Sequence, residues 1–368
     1  MGERNNPLMK KLDKWIGCPL LFGLGIFHKK SPKPDIKAIN SLQIAIVKTA
    51  GIGDTIVLSA VVDEIRHQHP QAEIVFICAK NNAGMVKALH NIDCIYEFDM
   101  RKPLKSFRNI SKLGHFDFVL DFGPWPRINA IISYFIDADY RIGFKRKNQY
   151  RHYIYDAVVE HSDDLHEIEN YRNIIRKAGF VVDGLLPDLH CNSEFTDYKN
   201  YVIFHMHAGG AIPFLREWDD ANWIALAKLV YKKYKVKIVF SGGKADWDSV
   251  NRIVISLEQC NVEAYNIAGE YSLADMAAVL QNAKLLVSVN TGTMHYGAAV
   301  GVPLVAIHGA NPIKRWGPLS KNSISLASDR ACCPCVSLGF ETECTEAKCM
   351  QDIRVEDVMR AISTLLKY

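Results

Sequence analysis

From Gln43 onward, short apolar runs alternate with stretches whose apolar residues recur every three or four positions. QIAIVK (43–48), EIVFIC (73–78), CIYEF (94–98) and FDFVLDF (116–122) read as strands, with helices between them from Asp54 to about His67 and near Asn82 to His90. Over 183–200, DGLLPDLHCNSEFTDYKN, the periodicity lapses and turn residues take over. The pattern then restarts with YVIFHM (201–206), a helix entered through Asp219 and Asp220, VKIVFSGG (236–243), a helix after Asp246 and EAYNIAG (263–269). A helix from Ser272, KLLVSV (284–289), PLVAIHG (303–309) and a last helix from about Val355 to Leu366 complete it. Strands alternating with helices predict parallel sheets covered on both faces. The expected organisation is α/β: an extension over 1–40, one Rossmann-like domain over 41–186, a second over 197–350, and a terminal helix over 351–368. In open sheets of this kind ligands bind at the carboxyl ends of the strands, so the two domains are expected to face a common cleft.

Composition narrows the class without choosing a function. The chain has 368 residues, 49% of them hydrophobic and 23% charged, which suits a soluble globular protein of two domains. Its net charge of +4 is small, but RIGFKRKNQYRH (141–152) holds five Lys or Arg and no acid. That stretch suits an anionic partner or is a solvated loop; the basic surface is too limited for a nucleic-acid binder. The segment KKLDKWIGCPLLFGLGIFHKK (10–30) is apolar between basic flanks, with no small-residue cleavage site and too few apolar residues to span a bilayer. It reads either as an interfacial anchor, with Trp15 and Phe27 among headgroups and lysines on anionic lipid, or as an arm packed on the protein's own surface.

Four strand-to-helix turns carry the candidate chemistry. In KTAGIGDT (48–55), Gly51 and Gly53 imitate a dinucleotide loop, but the third glycine is missing and the next strand ends without a ribose-binding acid, which disfavours NAD. Asp54 stands where phosphate would sit, as a functional carboxylate or as a helix N-cap. In SVNTGTMHYG (288–297), Asn290, Thr291 and Gly292 open a helix whose first amides can hold phosphate oxygens, with His295 on its first turn. The same residues also suit a capping turn with a buried histidine. In HMHAGGAIPFLREW (205–218), His207, Gly209 and Arg216 suit a diphosphate clamp, unless Arg216 is a plain surface cation. In SGGKAD (241–246), Gly242, Gly243 and Asp246 suit a ribose hydroxyl or, again, a cap.

Taken in order, GIGDT, the histidine-glycine turn with Arg-x-Trp, GG-x-x-D, NIAGEYSLADMAAVLQNAKLLVSVNTGTMHYGAA and GVPLVAIHGANP resemble the ADP-heptose:lipopolysaccharide heptosyltransferase family. The resemblance covers almost everything past residue 40. It implies a GT-B glycosyltransferase that transfers a heptose, or a similar sugar, from an ADP-sugar to a lipopolysaccharide-core or related acceptor with inversion and without an essential metal. Asp54 would be the general base. Gly53, Thr55, Lys145 and Arg146 would meet the acceptor, and His207, Gly209, Arg216, Gly242, Gly243, Asp246, Asn290, Thr291, Gly292 and His295 the donor. Such a protein would work in the cytoplasm, peripheral to the inner membrane. A nucleotide-sugar epimerase of similar fold is the alternative among enzymes; the family usually reads Asp-Thr-Gly where this chain has Asn290-Thr291-Gly292, which also leaves open a sugar-binding protein with a decayed site. An acidic Asp137-Ala138-Asp139 is expected in a helix-to-strand loop, away from the ligands.

Ten cysteines are many for a cytoplasmic enzyme, and five crowd into 332–349. Cys332, Cys335, Cys344 and Cys349 could hold structural zinc or iron; the looser spacing equally suits free thiols or a disulfide.

Overall fold

Each apolar run becomes a strand in a computed structural model that describes residues 11, 13–191, 195, 197–210, 212–336, 342 and 344–366. The polar linker therefore lies in part outside the described residues, as do residues 1–10 and 12 of the extension. The chain divides into two compact units, Met1–Leu185 and Leu186–Tyr368.

The first unit contains β1 (Gln43–Val47), β2 (Glu73–Ala79), β3 (Cys94–Phe98), β4 (Phe116–Asp121), β5 (Ala138–Lys145) and β6 (Ala157–Glu160). They form one parallel sheet in the order β3-β2-β1-β4-β5-β6. The second unit repeats the plan with β7 (Tyr201–His205), β8 (Lys237–Ser241), β9 (Ala264–Asn266), β10 (Leu286–Val289), β11 (Leu304–His308) and β12 (Ser323–Ala327). Its order, read from the other edge, is β9-β8-β7-β10-β11-β12, again all parallel. This is the doubly wound Rossmann order, in which the chain reverses direction across the sheet between the first and fourth strands. Ligands of such sheets bind at that switch point, here between β1 and β4 and between β7 and β10.

Central strands were legible because both of their faces are covered; Ile44, Ala45, Ile46 and Val47 of β1 are all fully buried. β5, β6 and β12 were not foreseen. β6 and β12 are half-exposed throughout and β5 alternates, so none gives a continuous apolar run.

Eight helices matter to the argument: α1 (Gly17–Phe27), α2 (Ile52–Gln68), α3 (Arg127–Phe135), α4 (Glu167–Ala178), α5 (Asp220–Tyr234), α6 (Trp247–Glu258), α7 (Gly292–Ala299) and α8 (Val355–Leu365). α4 is tied to α2 by the buried pair Arg172–Glu64 at 2.8 Å. α8 closes the second unit, its Val358, Ala361 and Ile362 entering the same core as Trp223 and Leu226 of α5.

The extension is no loose arm. α1 lies on the first unit through Leu21, which is fully buried, and two of its glycines allow the close approach. A Cβ at Gly17 would sit 2.9 Å from Arg127 Cδ, and one at Gly25 would sit 2.7 Å from Tyr153 Cβ. Asp13, just ahead of the helix, accepts from Arg127 Nη1 at 2.6 Å. Among the described residues no helix is long and apolar enough to cross a membrane.

Candidate functional site

In the first unit the switch point is charged. Gly51 leaves β1 with φ +91° and opens α2. No other residue fits there, since a Cβ would lie 2.1 Å from Asp54 Oδ2. Asp54 is thus the third residue of α2, and Gly51 holds the N-cap place that sequence alone had offered to the aspartate. Lys48 Nζ donates to Asp54 Oδ1 at 2.8 Å and to the Phe122 carbonyl, just past β4, at 3.2 Å. Lys48 also donates to the Tyr171 hydroxyl at 2.8 Å, and that hydroxyl donates to Asp54 Oδ1 at 3.2 Å. Lys48 is 2% exposed, while the Asp54 side chain keeps 14% of its surface open. A buried ammonium bridging β1 and β4 therefore balances a carboxylate that solvent reaches.

Lys48 and Tyr171 stand in no motif. The one sequence signal was a lysine closing an otherwise apolar β1; Tyr171 sits more than a hundred residues away on α4. Beside them Asp121, Arg151 and Tyr155 form a fully buried cluster at the end of β4, with Arg151 Nη2 2.6 Å from Asp121 Oδ2.

The residues expected to meet an acceptor fare unequally. Gly53 is half-buried, as the second residue of α2. Thr55 is fully buried, its hydroxyl donates to the Gly51 carbonyl at 2.7 Å and accepts from Asn82, so its side chain holds the turn. Lys145 pairs with Glu160 at 2.7 Å, and Arg146 forks onto Asp163 at 3.1 and 3.2 Å. With Arg151 on Asp121 and Arg141 donating to the carbonyls of Ser133, Ile136 and Ala138, the basic stretch is largely spent inside its own unit. Asp137 and Asp139 flank His115 at 3.2 Å each and raise its pKa, chiefly through the bond to Asp137.

In the second unit the switch point carries a guanidinium, Arg216, which helps to hold the neighbouring Glu217 carboxyl below its usual range. Arg216 donates to the carbonyl of Gly209, past β7, and to that of Asn290, past β10, at 3.4 Å. Thr291 N-caps α7, its hydroxyl accepting from the Thr293 amide at 3.2 Å, with Gly292 the first helical residue. Asn290 is 4% exposed, and its side chain is consumed by the fold. Its amide nitrogen donates to the Trp316 carbonyl at 3.1 Å and to His308 Nδ1 at 3.2 Å, and its oxygen accepts from Asn311 at 2.8 Å. The Asn290 side chain thus brackets three loops. Burial pushes the His308 imidazole down to about 4, so it is neutral and accepts that bond. His295 is 6% exposed, edge-on to Trp316 at 6.4 Å between centroids.

The turn past β8 joins the one past β7. Ser249 on α6 bonds His207 Nε2 and the Asp246 carbonyl, each at 2.8 Å. His207 Nδ1 lies 3.5 Å from Glu217, whose bond raises the imidazole above its ordinary value. Burial pushes Glu217 upward, but the bonds from His207 and the Ala208 amide outweigh it and hold the carboxyl below the usual range. Asp246 accepts from the Gly243 amide at 2.7 Å, a local cap, while Gly242 packs against its Cβ. Gly209, Arg216, Asn290, Thr291, His207, Gly243 and Asp246 thus lie on adjoining turns at one end of one sheet.

The structure does not gather Cys332, Cys335, Cys344 and Cys349 into a metal centre. Among the described residues no group of three or more His, Cys, Asp or Glu is placed to hold an ion, and all ten cysteines are free thiols. Cys333 instead donates to the Gly309 carbonyl at 3.0 Å, and Cys344 to that of Glu346 at 3.1 Å. Burial pushes the Cys333 thiol up to about 12.

Two doubly wound units, each with a polar turn cluster at its switch point, have the GT-B architecture of solved heptosyltransferase structures. The profile of glycosyltransferase family 9 (heptosyltransferase) matches residues 112–346, and the chain belongs to that family. It is 23% identical over 327 residues to lipooligosaccharide heptosyltransferase 2 of Campylobacter jejuni, covering 89% of this chain and 99% of that one. Lipopolysaccharide core heptosyltransferase OpsX of Haemophilus influenzae is 22% identical, covering 88% and 96%. Among solved structures, a family 9 glycosyl transferase from Veillonella parvula superposes with a TM-score of 0.74 at 21% identity, covering 92% of this chain and 99% of that one. Escherichia coli heptosyltransferase WaaC with ADP gives a TM-score of 0.72 at 16% identity, covering 88% and 100%.

Proposed function

We propose that the protein is an inverting heptosyltransferase: Asp54 takes the proton from an acceptor hydroxyl, and the oxygen attacks the anomeric carbon of an ADP-heptose as the C–O bond to ADP breaks. The observation that carries this reading is the Lys48–Asp54–Tyr171 arrangement, a solvent-reached carboxylate oriented by two buried partners at a switch point. A general base needs that combination of access and fixed direction. Arg216, the first amides of α7 and the helix dipole would stabilise the departing diphosphate, so the positive charge the leaving group requires is present in the chain without a metal. Two neighbours support the donor: WaaC with ADP, and WaaC with ADP-2-deoxy-2-fluoro heptose, which superposes with a TM-score of 0.70.

The relatives' names point to a lipopolysaccharide-core or lipooligosaccharide acceptor. The same reading puts the work in the cytoplasm, where nucleotide sugars are made, at the inner membrane surface that carries a lipid-linked acceptor. The bonds around Asn290 give a structural reason for an amide there, so its presence no longer argues for a decayed site.

Asp54→Asn is the test. Transfer from ADP-heptose to a truncated core acceptor falls by roughly 10²–10⁴-fold, the usual contribution of a general base. Calorimetric affinity for the ADP-sugar is unchanged. Full transfer by the variant sinks the proposal.

A further inference from the structure

α1 is apolar on every side, and only one side is used. No charged residue occurs from Trp15 to Phe27. Gly17, Leu21 and Leu24, spaced four and three apart, face the first unit, where Leu21 and Leu24 join Ala130, Ile131 and Ile154. Two stripes on the other side meet solvent. Trp15, Pro19, Phe22 and Ile26 form the first, with Trp15 77%, Phe22 60% and Ile26 67% exposed; Ile16, Leu20 and Phe27 lie on the second. Tyr153 continues the surface, edge-on to Phe22 at 6.0 Å and stacked on Tyr150 at 6.1 Å. A helix with no polar face belongs in an apolar environment, and water is the wrong solvent for this one.

The charges around it choose the occupant. Between residues 11 and 33 stand five lysines, Lys11, Lys14, Lys29, Lys30 and Lys33, and one acid, Asp13. Asp13 is already paired with Arg127, and Asp156, the next acid near the helix end, holds the Ser31 amide and lies 3.2 Å from His28. The apolar face is therefore bracketed at both ends by an excess of positive charge, with Trp15 and Phe27 at its two rims. At about 1.5 Å per residue the helix is about 16 Å long, half of what a bilayer core requires, so it can lie in an interface but not span one.

We infer that α1 is a prefolded docking element that seats the first unit on an anionic lipid surface, its outer stripes among the upper acyl carbons and its flanking lysines on the headgroups. This takes up the membrane-surface part of the function proposed above, yet it stands on the helix alone and is read without substrate. The first unit would arrive at the bilayer with its docking face already ordered.

The test is flotation of the full chain with phosphatidylcholine vesicles with and without phosphatidylglycerol. Binding is expected to the anionic vesicles, weaker to the neutral ones, and to decline as salt is added. The combined Trp15→Glu, Phe22→Glu and Ile26→Glu variant should lose at least about tenfold in vesicle affinity, because all three changes lie on the inserted stripe. Its thermal midpoint and its transfer to a water-soluble core acceptor should stay as they were, which separates failure of this inference from failure of the transferase reading. Lys11→Gln, Lys14→Gln, Lys29→Gln and Lys30→Gln together leave the packed side untouched and should selectively weaken the anionic vesicles. Absence of vesicle binding by the natural chain overturns the inference, as does binding that survives both variants. A concentration-dependent dimer that the glutamate variant breaks, seen by sedimentation, would assign the face to a second copy and overturn it equally.

Discussion

The two switch points share a scaffold and differ in what they hold. At each, one cation straddles the gap between the first and fourth strands: Lys48 from β1 to the Phe122 carbonyl, Arg216 from the Gly209 to the Asn290 carbonyl. In the first unit that cation also meets a carboxylate, and the cluster is self-neutralised. In the second, the guanidinium donates to two carbonyls, and Asn290, Asn311 and His308 around it are neutral. On the proposed reading, one Rossmann frame carries a base at the switch point of the first unit and an anion site at that of the second.

Lys48→Met breaks the first half of the comparison. The carboxylate loses its counter-charge and its link to Tyr171, and a displaced base costs roughly 10²-fold in kcat. An unchanged kcat would show that Lys48 merely supports the fold.

Asn290→Asp attacks the second half by putting a charge where the structure has none. Its second oxygen would face the Trp316 carbonyl at 3.1 Å and a histidine held neutral. The expected loss is about 1–3 kcal/mol, the cost of an unsatisfied buried polar group. Thermal unfolding reads it directly, and an unchanged midpoint would mean that the bracket is dispensable.

The smallest effect concerns His207 and Glu217, which link the turns past β7 and β8. Glu217 raises the His207 pKa, so the pair's contribution is complete below the ordinary imidazole value, about 6.5, and is lost as pH rises through the raised one. Glu217→Gln should therefore cost about 1 kcal/mol, roughly 2–4 °C, near pH 6 and much less near pH 9. Equal losses at both pH values would remove the imidazolium from the account.

Sequence carried the architecture well and the site only partly. Parallel strands covered on both faces advertise themselves as apolar runs, while the edge strands β6 and β12, half-exposed, do not. The turns carrying Asp54, Arg216 and Thr291 were legible because glycine and capping residues mark strand-to-helix junctions. What those turns do depends on distant partners. Nothing near Asp54 in the chain announces Tyr171, and nothing near Asn290 announces Trp316. The pairing of the basic run 141–152 was hidden for the same reason, since the acids that pair with Lys145 and Arg146 arrive from β6 and the loop after it.

Lys48 has a consequence for how portable this chemistry is. Its ammonium joins the end of β1, the end of β4 and a tyrosine on α4, so the setting of the proposed base is defined by three separate segments. Grafting GIGD onto another Rossmann sheet would carry over a carboxylate without its counter-charge or its hydroxyl. The inheritable unit is the whole first domain, and a recombination event that exchanged α4 alone would pass on an intact turn with an unsupported base.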